Sequence, residues 1–307
     1  MTQLTYLHDV KHDPASVVTV GTFDGVHEGH KSLISTVVEK ARKRNARSVV
    51  VSFDPHPREI IDPGFNIKLL TTLEERREIL HDLGVDLLVV IPFNREFSLL
   101  NSEEFIKEII HGKIGLMEFV IGYDHQFGRN REGTLSTVTK IGEELGFDVH
   151  IVKAHEIKHV TVSSSTARKA LEEKGDVQLA RHFLGRPYSI RGTVIHGEKR
   201  GKLLGYPTAN IKVDNSRKII PHNGVYAVDL LIDKKKFRGM MNIGVRPTFK
   251  EEERTLEVNV FDFDQDIYGK SIDIQFLTRI RDEKKFSGME ELMAQLENDK
   301  ISCSKAE

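Results

Sequence analysis

One stretch of ten residues limits what this chain can fold into more than any other. Residues 21–30 read G-T-F-D-G-V-H-E-G-H and follow the β-branched run 17–20 (V-V-T-V), which predicts a short buried strand. A helical pattern follows, with apolar residues on one face at Leu33, Ile34, Val37, Val38 and Ala41. The decamer is therefore expected to form a glycine-flanked turn that joins a strand to a helix.

Such a turn is suited to bind phosphate, because a helix N-terminus presents unpaired N–H groups and the positive end of the helix dipole. Gly21 and Gly25 permit turn dihedrals that a side chain resists, and Gly29 lets a ligand come close to the backbone. His27 and His30 lie three residues apart, so both rings can face one ligand and donate hydrogen bonds to phosphate oxygens. A solvated helix face is the alternative for this pair; the glycines and the preceding strand favour the phosphate site.

Composition limits the classes of partner. The chain has 307 residues, enough for two domains with separate cores. Its 45 basic and 46 acidic residues nearly cancel, so we expect neither a nucleic-acid partner nor attraction to a membrane. Cys303 is the only cysteine, which excludes an intramolecular disulfide. The first residues lack the pattern of a signal peptide and no apolar run reaches membrane-spanning length, so a cytoplasmic protein is expected.

The first part of the chain alternates between two patterns. Buried strands are predicted at residues 48–53, 87–91, 119–122 and 149–152, and helices at 73–83, 102–111, 136–145 and 166–174. This alternation predicts an α/β fold with a Rossmann-like parallel sheet and ligands at the carboxyl ends of its strands. The decamer follows such an end.

The pattern changes beyond Arg186-Pro187. Short β-rich runs at 188–195, 225–232, 236–243, 255–263 and 271–277 indicate a small antiparallel β-barrel or sandwich, of which we predict the barrel. A terminal helix is predicted at 287–298, with Met289 and Met293 expected to pack in the core. We therefore predict one domain at residues 1–185 and a second at 186–307.

Three more segments of the first domain could complete a nucleotide site. Residues 52–57 (S-F-D-P-H-P) end one predicted strand, and residues 122–133 (G-Y-D-H-Q-F-G-R-N-R-E-G) end another with aromatic rings, an acid and two arginines. Residues 162–168 (V-S-S-S-T-A-R) open a helix with hydroxyl groups. A plain polar turn and an ordinary helix N-cap are the alternatives for the last two segments.

The decamer resembles the H-x-G-H signature of the nucleotidyltransferase superfamily, and the segments in this order resemble the FMN adenylyltransferase module of the bacterial bifunctional riboflavin kinase/FAD synthetases over residues 19–185. This resemblance implies that His27 and His30 contact the ATP phosphates. The other ATP-binding residues that it implies are Gly21, Phe23, Asp24, Gly25, Gly29, Ser163, Ser164, Ser165 and Arg168. The flavin-binding residues that it implies are Asp54, His56, Asp124, Phe127 and Arg131. His125, Ser165 and Ala167 depart from the family pattern.

The second domain carries a glycine-rich basic loop followed by residues 206–210 (Y-P-T-A-N). Such a loop can wrap a polyphosphate, and Thr208 and Asn210 can offer oxygen ligands to Mg²⁺. A solvated basic turn is the alternative on composition alone. Glu257 is a lone carboxylate in a strand-like run, which suits either a general base or a solvent-facing side chain.

Residues 186–298 resemble the riboflavin kinase module of the same family, most specifically at P-T-A-N. The resemblance implies that Thr208 and Asn210 bind Mg-ATP and that Glu257 accepts the proton of the riboflavin 5′-hydroxyl. The ATP site that it implies also contains Gly197, Lys199, Gly201, Lys202, Gly205 and Pro207. The flavin site that it implies contains Arg281, Glu283 and Phe286.

Together the two resemblances imply a bifunctional enzyme. The second domain would transfer phosphate from ATP to riboflavin, giving FMN and ADP, and the first would join FMN to AMP from another ATP, giving FAD and pyrophosphate. Two alternatives stay open: a chain in which only the kinase works, given the departures at His125 and Ala167, and a flavin-binding regulator without turnover. The sequence does not indicate an oligomeric state.

Overall fold

A computed structural model describes residues 1–62, 64, 66–123, 128–129, 132–153, 156–157, 160–197, 205–247 and 252–306. The chain forms two compact units, Met1–Ser164 and Ser165–Glu307. The domain limits predicted from the sequence are 1–185 and 186–307, and they remain a prediction. In the described part of the chain, no helix combines the length and the apolar character that crossing a membrane requires.

The first unit is built on a six-stranded sheet whose strands all pair in parallel. Its strands are β1 (Gln3–Tyr6), β2 (Ser16–Val20), β3 (Arg47–Asp54), β4 (Leu87–Pro92), β5 (Glu118–Gly122) and β6 (Asp148–Val152). Helices α1 (Glu28–Lys43), α2 (Pro57–Ile61), α3 (Leu73–Asp82), α4 (Ser102–Glu104) and α5 (Leu135–Leu145) connect them. The pair β7 (Glu156–Ile157) and β8 (Val160–Thr161) follows. The predicted Rossmann-like fold is confirmed; β1 is a strand that the prediction missed.

Strand order explains where a ligand would sit. The strand order in the sheet is β1-β4-β3-β2-β5-β6. Strands β3 and β4 follow on one side of β2, and strands β5 and β6 lie on its other side, so the direction of the connections reverses between β2 and β5. Ligands of open parallel sheets bind in the crevice at such a switch point, outside the carboxyl ends of the strands. The decamer follows β2 and the segment from Gly122 follows β5, so two of the predicted site segments leave adjacent strands at this point.

The helix predicted at residues 102–111 differs from the prediction in its winding. After α4 the chain continues as a π-helix over Phe105–Ile114, which buries Phe105, Ile106, Ile110 and Ile114. Glycine at position 112 permits the wider turn, because a Cβ there would lie 2.9 Å from the carbonyl oxygen of Lys107. Apolar spacing does not distinguish these two helix types over so short a segment.

The second unit is dominated by a closed barrel whose strands pair antiparallel in the order β10-β13-β12-β11-β14-β9. Its strands are β9 (Tyr188–Ile195), β10 (Ala209–Val213), β11 (Gly224–Ile232), β12 (Lys235–Pro247), β13 (Glu252–Val260) and β14 (Ser271–Arg281). Its helices are α6 (Ser164–Lys174), α7 (Val177–Leu184) and the terminal α8 (Met289–Ser304). Helix α6 begins at Ser164, the last residue of the first unit. The predicted barrel and terminal helix are confirmed. The prediction missed β10 and α7, and the methionines expected in the core are exposed, Met289 by 58% and Met293 by 45%.

Candidate active sites

The decamer forms a tight loop between β2 and α1. Its left-handed backbone positions are Phe23, Gly25 and Val26, with φ of 46°, 83° and 39°. The expectation that Gly21 supplies a special turn dihedral was wrong; instead a Cβ on Gly21 would lie only 3.0 Å from the ring of Phe23. Glycine at position 21 therefore lets the buried Phe23 ring fold back against the strand end.

Asp24 fixes this loop to the segment before α3. Its carboxylate accepts hydrogen bonds from the backbone N–H groups of Leu70, at 3.0 Å, and Thr71, at 2.9 Å, and it is completely buried. The Thr71 hydroxyl in turn accepts from the N–H of Gly25 at 2.9 Å. Ser164 donates to the backbone carbonyl of Asp24 at 2.8 Å. Asp24 thus braces the decamer, and a direct contact of its carboxylate with ATP remains a prediction.

His27 and His30 are brought together by the start of α1. His27 is the N-cap, and its Nδ1 accepts a hydrogen bond from the N–H of His30 at 3.2 Å. The two rings stack with centroids 3.6 Å apart and planes 18° apart, and Phe23 packs edge-on against His30 at 5.1 Å. The predicted pair therefore forms one stacked unit, with His27 just before the helix rather than in it.

Both rings present the same nitrogen as a donor. Because the Nδ1 of His27 accepts a hydrogen bond, the neutral ring carries its proton on Nε2. Among the described residues, no atom hydrogen-bonds the buried Nδ1 of His30. The pKa of His30 lies well below 6.5, chiefly through burial, then through the charge that His27 carries when it is protonated, and then through the charge of Arg76. A neutral His30 with its proton on Nε2 leaves the buried nitrogen without an unsatisfied N–H.

The remaining predicted residues of this site fall into three groups. Gly29, Asp54 and Ser163 are half-buried, and His56 caps α2 by accepting from the N–H of Arg58 at 3.2 Å. Ser165 and Arg168 lie on α6 in the second unit, Ser165 exposed and Arg168 half-buried. Asp124, Phe127 and Arg131 lie outside the described residues. The predicted flavin contacts of the adenylyltransferase site therefore stay predictions.

The second site is a cavity of about 300 Å³ in the barrel unit. Five residues predicted from the sequence line it together: Thr208, Glu257, Arg281, Glu283 and Phe286. Strand register explains part of this grouping, because Glu257 on β13 lies directly opposite Asn210 on β10 and Asn242 on β12. A half-buried carboxylate is thus set among amide and hydroxyl groups inside a barrel.

The predicted phosphate loop is described only at its two ends. A Cβ on Gly197 would lie 1.9 Å from the Nδ2 atom of Asn210, so only glycine fits beside that side chain. Gly205 adopts a φ of 77° in an exposed turn, and the carbonyl of Pro207 accepts a hydrogen bond from Asn259 at 2.7 Å. Lys199, Gly201 and Lys202 lie outside the described residues.

Helix α8 forms one wall of the cavity through Leu292 and Leu296. It is held by Asp299, which is 1% exposed and receives the guanidinium of Arg281 through contacts of 3.0, 3.0 and 2.6 Å. Tyr206 donates to Glu297 at 2.6 Å, and this bond raises the pKa of Tyr206 to about 12. Arg281 therefore anchors the helix, and its predicted contact with flavin is untested.

The sequence did not single out several lining residues, namely Tyr206, Asn242, Asn259, Leu292, Leu296 and Asp299. Asn259 lies two positions from Glu257, so strand alternation could have placed both on one face. Asp299 had no local signal, because an acid on an amphipathic helix ordinarily faces water.

These two sites define a class: a nucleotide-using transferase with a parallel-sheet unit followed by a β-barrel unit. Comparison with known proteins is consistent with this class. The FAD synthetase family model matches residues 9–166, and the riboflavin kinase model matches residues 184–306.

Full-length relatives show the same pair in one chain. The bifunctional riboflavin kinase/FMN adenylyltransferase of Bacillus subtilis is 40% identical over 298 residues, covering 95% of this chain and 93% of the relative. The protein of that name from Escherichia coli (strain K12) is 35% identical over 300 residues, covering 97% and 95%. A solved structure titled as a macrolide-efflux protein from Streptococcus pneumoniae superposes with a TM-score of 0.91 at 33% identity, covering 98% of this chain and 99% of the other.

The chain belongs to the bifunctional riboflavin kinase/FMN adenylyltransferase family. It is an enzyme of flavin cofactor synthesis with ATP as co-substrate, and the FAD synthetase region precedes the riboflavin kinase region, as predicted.

Proposed function

We propose that riboflavin is phosphorylated in the barrel cavity with Glu257 as the general base. The observation that carries this assignment is the grouping of Glu257 with Thr208 in one cavity and its register opposite Asn210. A carboxylate within reach of the 5′-hydroxyl can accept its proton as the oxygen attacks the γ-phosphate of ATP. Phosphoryl transfer otherwise depends on positioning and charge neutralisation.

The chemistry of the residues around Glu257 fits Mg²⁺. Thr208 and Asn210 offer the uncharged oxygen ligands that Mg²⁺ accepts, next to the carboxylate of Glu257. In the described part of the chain, no group of three or more His, Cys, Asp or Glu side chains could hold a metal by itself. Thr208 and Asn210 would therefore hold the cation together with the phosphates of ATP, where it neutralises their charge.

For the adenylyltransferase reaction, we assign phosphate binding to His27 and His30. In its neutral form each ring offers a donor on Nε2, next to the N-terminus of α1. The attacking group is the phosphate of FMN, already charged at neutral pH, so this step needs orientation and donors at the α-phosphate rather than a base. Gly21, Gly25 and the hydroxyl of Ser164 shape the loop that holds the pair. Riboflavin, FMN, FAD, ATP, ADP and pyrophosphate are the small-molecule partners of the two steps; the cytoplasmic location and the lack of a nucleic-acid partner remain predictions from the sequence.

Glu257→Gln tests the kinase assignment. We expect FMN formation from riboflavin to fall at least about a hundredfold, while FAD synthesis from supplied FMN stays within about twofold of the wild type. Asp262→Asn is the matched control, because this exposed acid follows the same strand and should leave both rates unchanged. Loss of both activities in Glu257→Gln would contradict separate sites.

The double variant His27→Ala/His30→Ala tests the other assignment. FAD synthesis should fall about 10²- to 10³-fold, the effect of removing donors from developing phosphate charge, and FMN formation should persist. His8→Ala is the control, since His8 is an exposed histidine of the same unit. Unchanged FAD synthesis in the double variant would remove the pair from the reaction.

A further inference from the structure

A buried arginine of the first unit has no assigned part in either reaction. Arg76 on α3 is 4% exposed and donates to the hydroxyl of Ser52 at 2.7 Å. An arginine stays charged at every physiological pH, and burying such a charge is unfavourable unless the surroundings stabilise it. Its place inside the first unit therefore depends on the contacts that it makes.

The fold connects Arg76 to the decamer through its hydrogen-bonded neighbour. Ser52, near the carboxyl end of β3, receives the Arg76 guanidinium and donates its own hydroxyl proton to the carbonyl of Thr22 at 3.0 Å. Thr22 is the second residue of the decamer. The guanidinium is thus one side chain away from the backbone that leads to the histidine pair.

The start of α3 is fixed to the same loop from the other side. Asp24 accepts from the N–H groups of Leu70 and Thr71, directly before the helix. Thr72 and Glu75 then form a reciprocal capping box at its first turn. Because Arg76 is the fourth residue of this helix, its position relative to the decamer is set by two independent sets of hydrogen bonds.

The charge of Arg76 also acts on the pair itself. Burial is the largest cause of the lowered pKa of His30, followed by the charge that His27 carries when protonated and then by the charge of Arg76. The guanidinium is therefore close enough to influence the ring through the poorly solvated region between them. The same field is favourable to negative charge that develops near the ring.

We propose that Arg76 is a positioning residue of the adenylyltransferase reaction, which braces the decamer through Ser52 and supplies a fixed positive charge near the histidine pair. This inference rests on the proposed role of His27 and His30 at the ATP phosphates. The fixed charge stabilises the phosphate charge that shifts toward pyrophosphate during transfer, while the neutral imidazoles make the direct contacts. Its effect is therefore on the turnover step more than on substrate binding.

Arg76→Met and Arg76→Lys in the full-length chain separate charge from packing. Arg76→Met should lower kcat for FAD synthesis from FMN about ten- to a hundredfold, with KM for ATP and FMN within about threefold. Arg76→Lys restores the charge and should return kcat to within about fivefold of the wild type. Arg77→Met is the matched control. Arg77 is the next residue along the helix, is partly exposed and donates a hydrogen bond to the sulfur of Met1, so this variant should retain full activity.

Denaturant unfolding of the first unit is measured for every variant and distinguishes a lost charge from a lost fold; FMN binding alone would not, because FMN is also the product of the kinase site. With an unchanged unfolding midpoint, an Arg76→Met variant whose kcat stays within threefold of the wild type overturns the proposal. If the first unit of Arg76→Met does not fold, Arg76→Lys decides alone, and a fall in its kcat of more than tenfold with an unchanged midpoint overturns the proposal.

Ser52→Ala removes the brace and keeps the charge, so it should lower kcat less than Arg76→Met; an equal loss would show that the charge is not used. The double variant His27→Ala/His30→Ala is measured beside these variants. If the histidine variant loses FAD synthesis and Arg76→Met does not, only the role of Arg76 fails. If neither loses it, the assignment of the histidine pair fails as well.

Discussion

The ion pair between Arg281 and Asp299 gives a prediction whose size follows from the structure. The side chain of Asp299 is 2% exposed and that of Arg281 is 20% exposed, and Gln295 adds a hydrogen bond to the carboxylate at 2.9 Å. Asp299→Asn keeps the shape and leaves the guanidinium without its counter-charge. Breaking a buried pair costs about 3–5 kcal/mol, and the partial exposure of Arg281 puts the expected loss near the lower limit, about 3 kcal/mol.

The assay for Asp299→Asn has two readouts. Denaturant unfolding of the second unit should show the loss of about 3 kcal/mol, and a melting temperature lower by about 10 °C should accompany it. Because α8 carries Leu292 and Leu296 into the cavity wall, KM for riboflavin should rise at least about fivefold at temperatures where the variant is folded.

The control for this prediction is Glu291→Gln on the same helix. Glu291 pairs with Lys284 at 2.7 Å in an exposed position, where ion pairs contribute little, so its loss should hardly change the unfolding curve. The reasoning is refuted if Asp299→Asn unfolds within about 1 kcal/mol of the wild type and retains its KM for riboflavin.

Three further predictions concern single contacts. Gly197→Ala would place a methyl group 1.9 Å from the Nδ2 of Asn210, so KM for ATP in FMN formation should rise at least about tenfold; an unchanged KM would separate Asn210 from ATP binding. Ser164→Ala removes a hydrogen bond to the carbonyl of Asp24 and should lower the unfolding free energy of the first unit by about 1 kcal/mol. Urea titration measures this loss, and an unchanged unfolding midpoint would contradict the prediction. The lowered pKa of His30 means that the unfolded chain binds a proton below pH 6.5 that the folded chain does not, so the stability of the first unit should fall as the pH drops through this region. That fall should be smaller in His30→Gln, and equal slopes in the two proteins would show that His30 is not its source.

The sequence alone predicted those helices and strands whose local residue pattern is typical of a single kind of secondary structure. The run 17–20 lies within β2, and the apolar spacing after the decamer became α1, with Ile34, Val37, Val38 and Ala41 buried. β10 was missed because residues 206–210 were interpreted by their glycine-rich and proline context, although Asn210 and Glu257 are direct partners in the barrel. Pairing between distant strands has no local signal.

The candidate sites were predictable only in part, for the same reason. The residue types of Glu257, Thr208 and the histidine pair were identified from motifs and a family resemblance, and the structure groups Glu257 with Thr208 and His27 with His30. The buried carboxylate of Asp24 and the charge of Arg76 depend on contacts across 46 or 24 positions of the chain, which spacing along the sequence does not show. Their surroundings became visible only with the fold.

The central claim is that two separate sites in one chain act in succession, and mixing two variants tests it most directly. Glu257→Gln and His27→Ala/His30→Ala are incubated singly and together with riboflavin, ATP and Mg²⁺, and the flavins are resolved by chromatography. We predict that the first variant alone leaves riboflavin unchanged, that the second alone accumulates FMN, and that the mixture produces FAD. FAD from either variant alone at the wild-type rate, or a mixture that forms FMN but no FAD, would contradict the account.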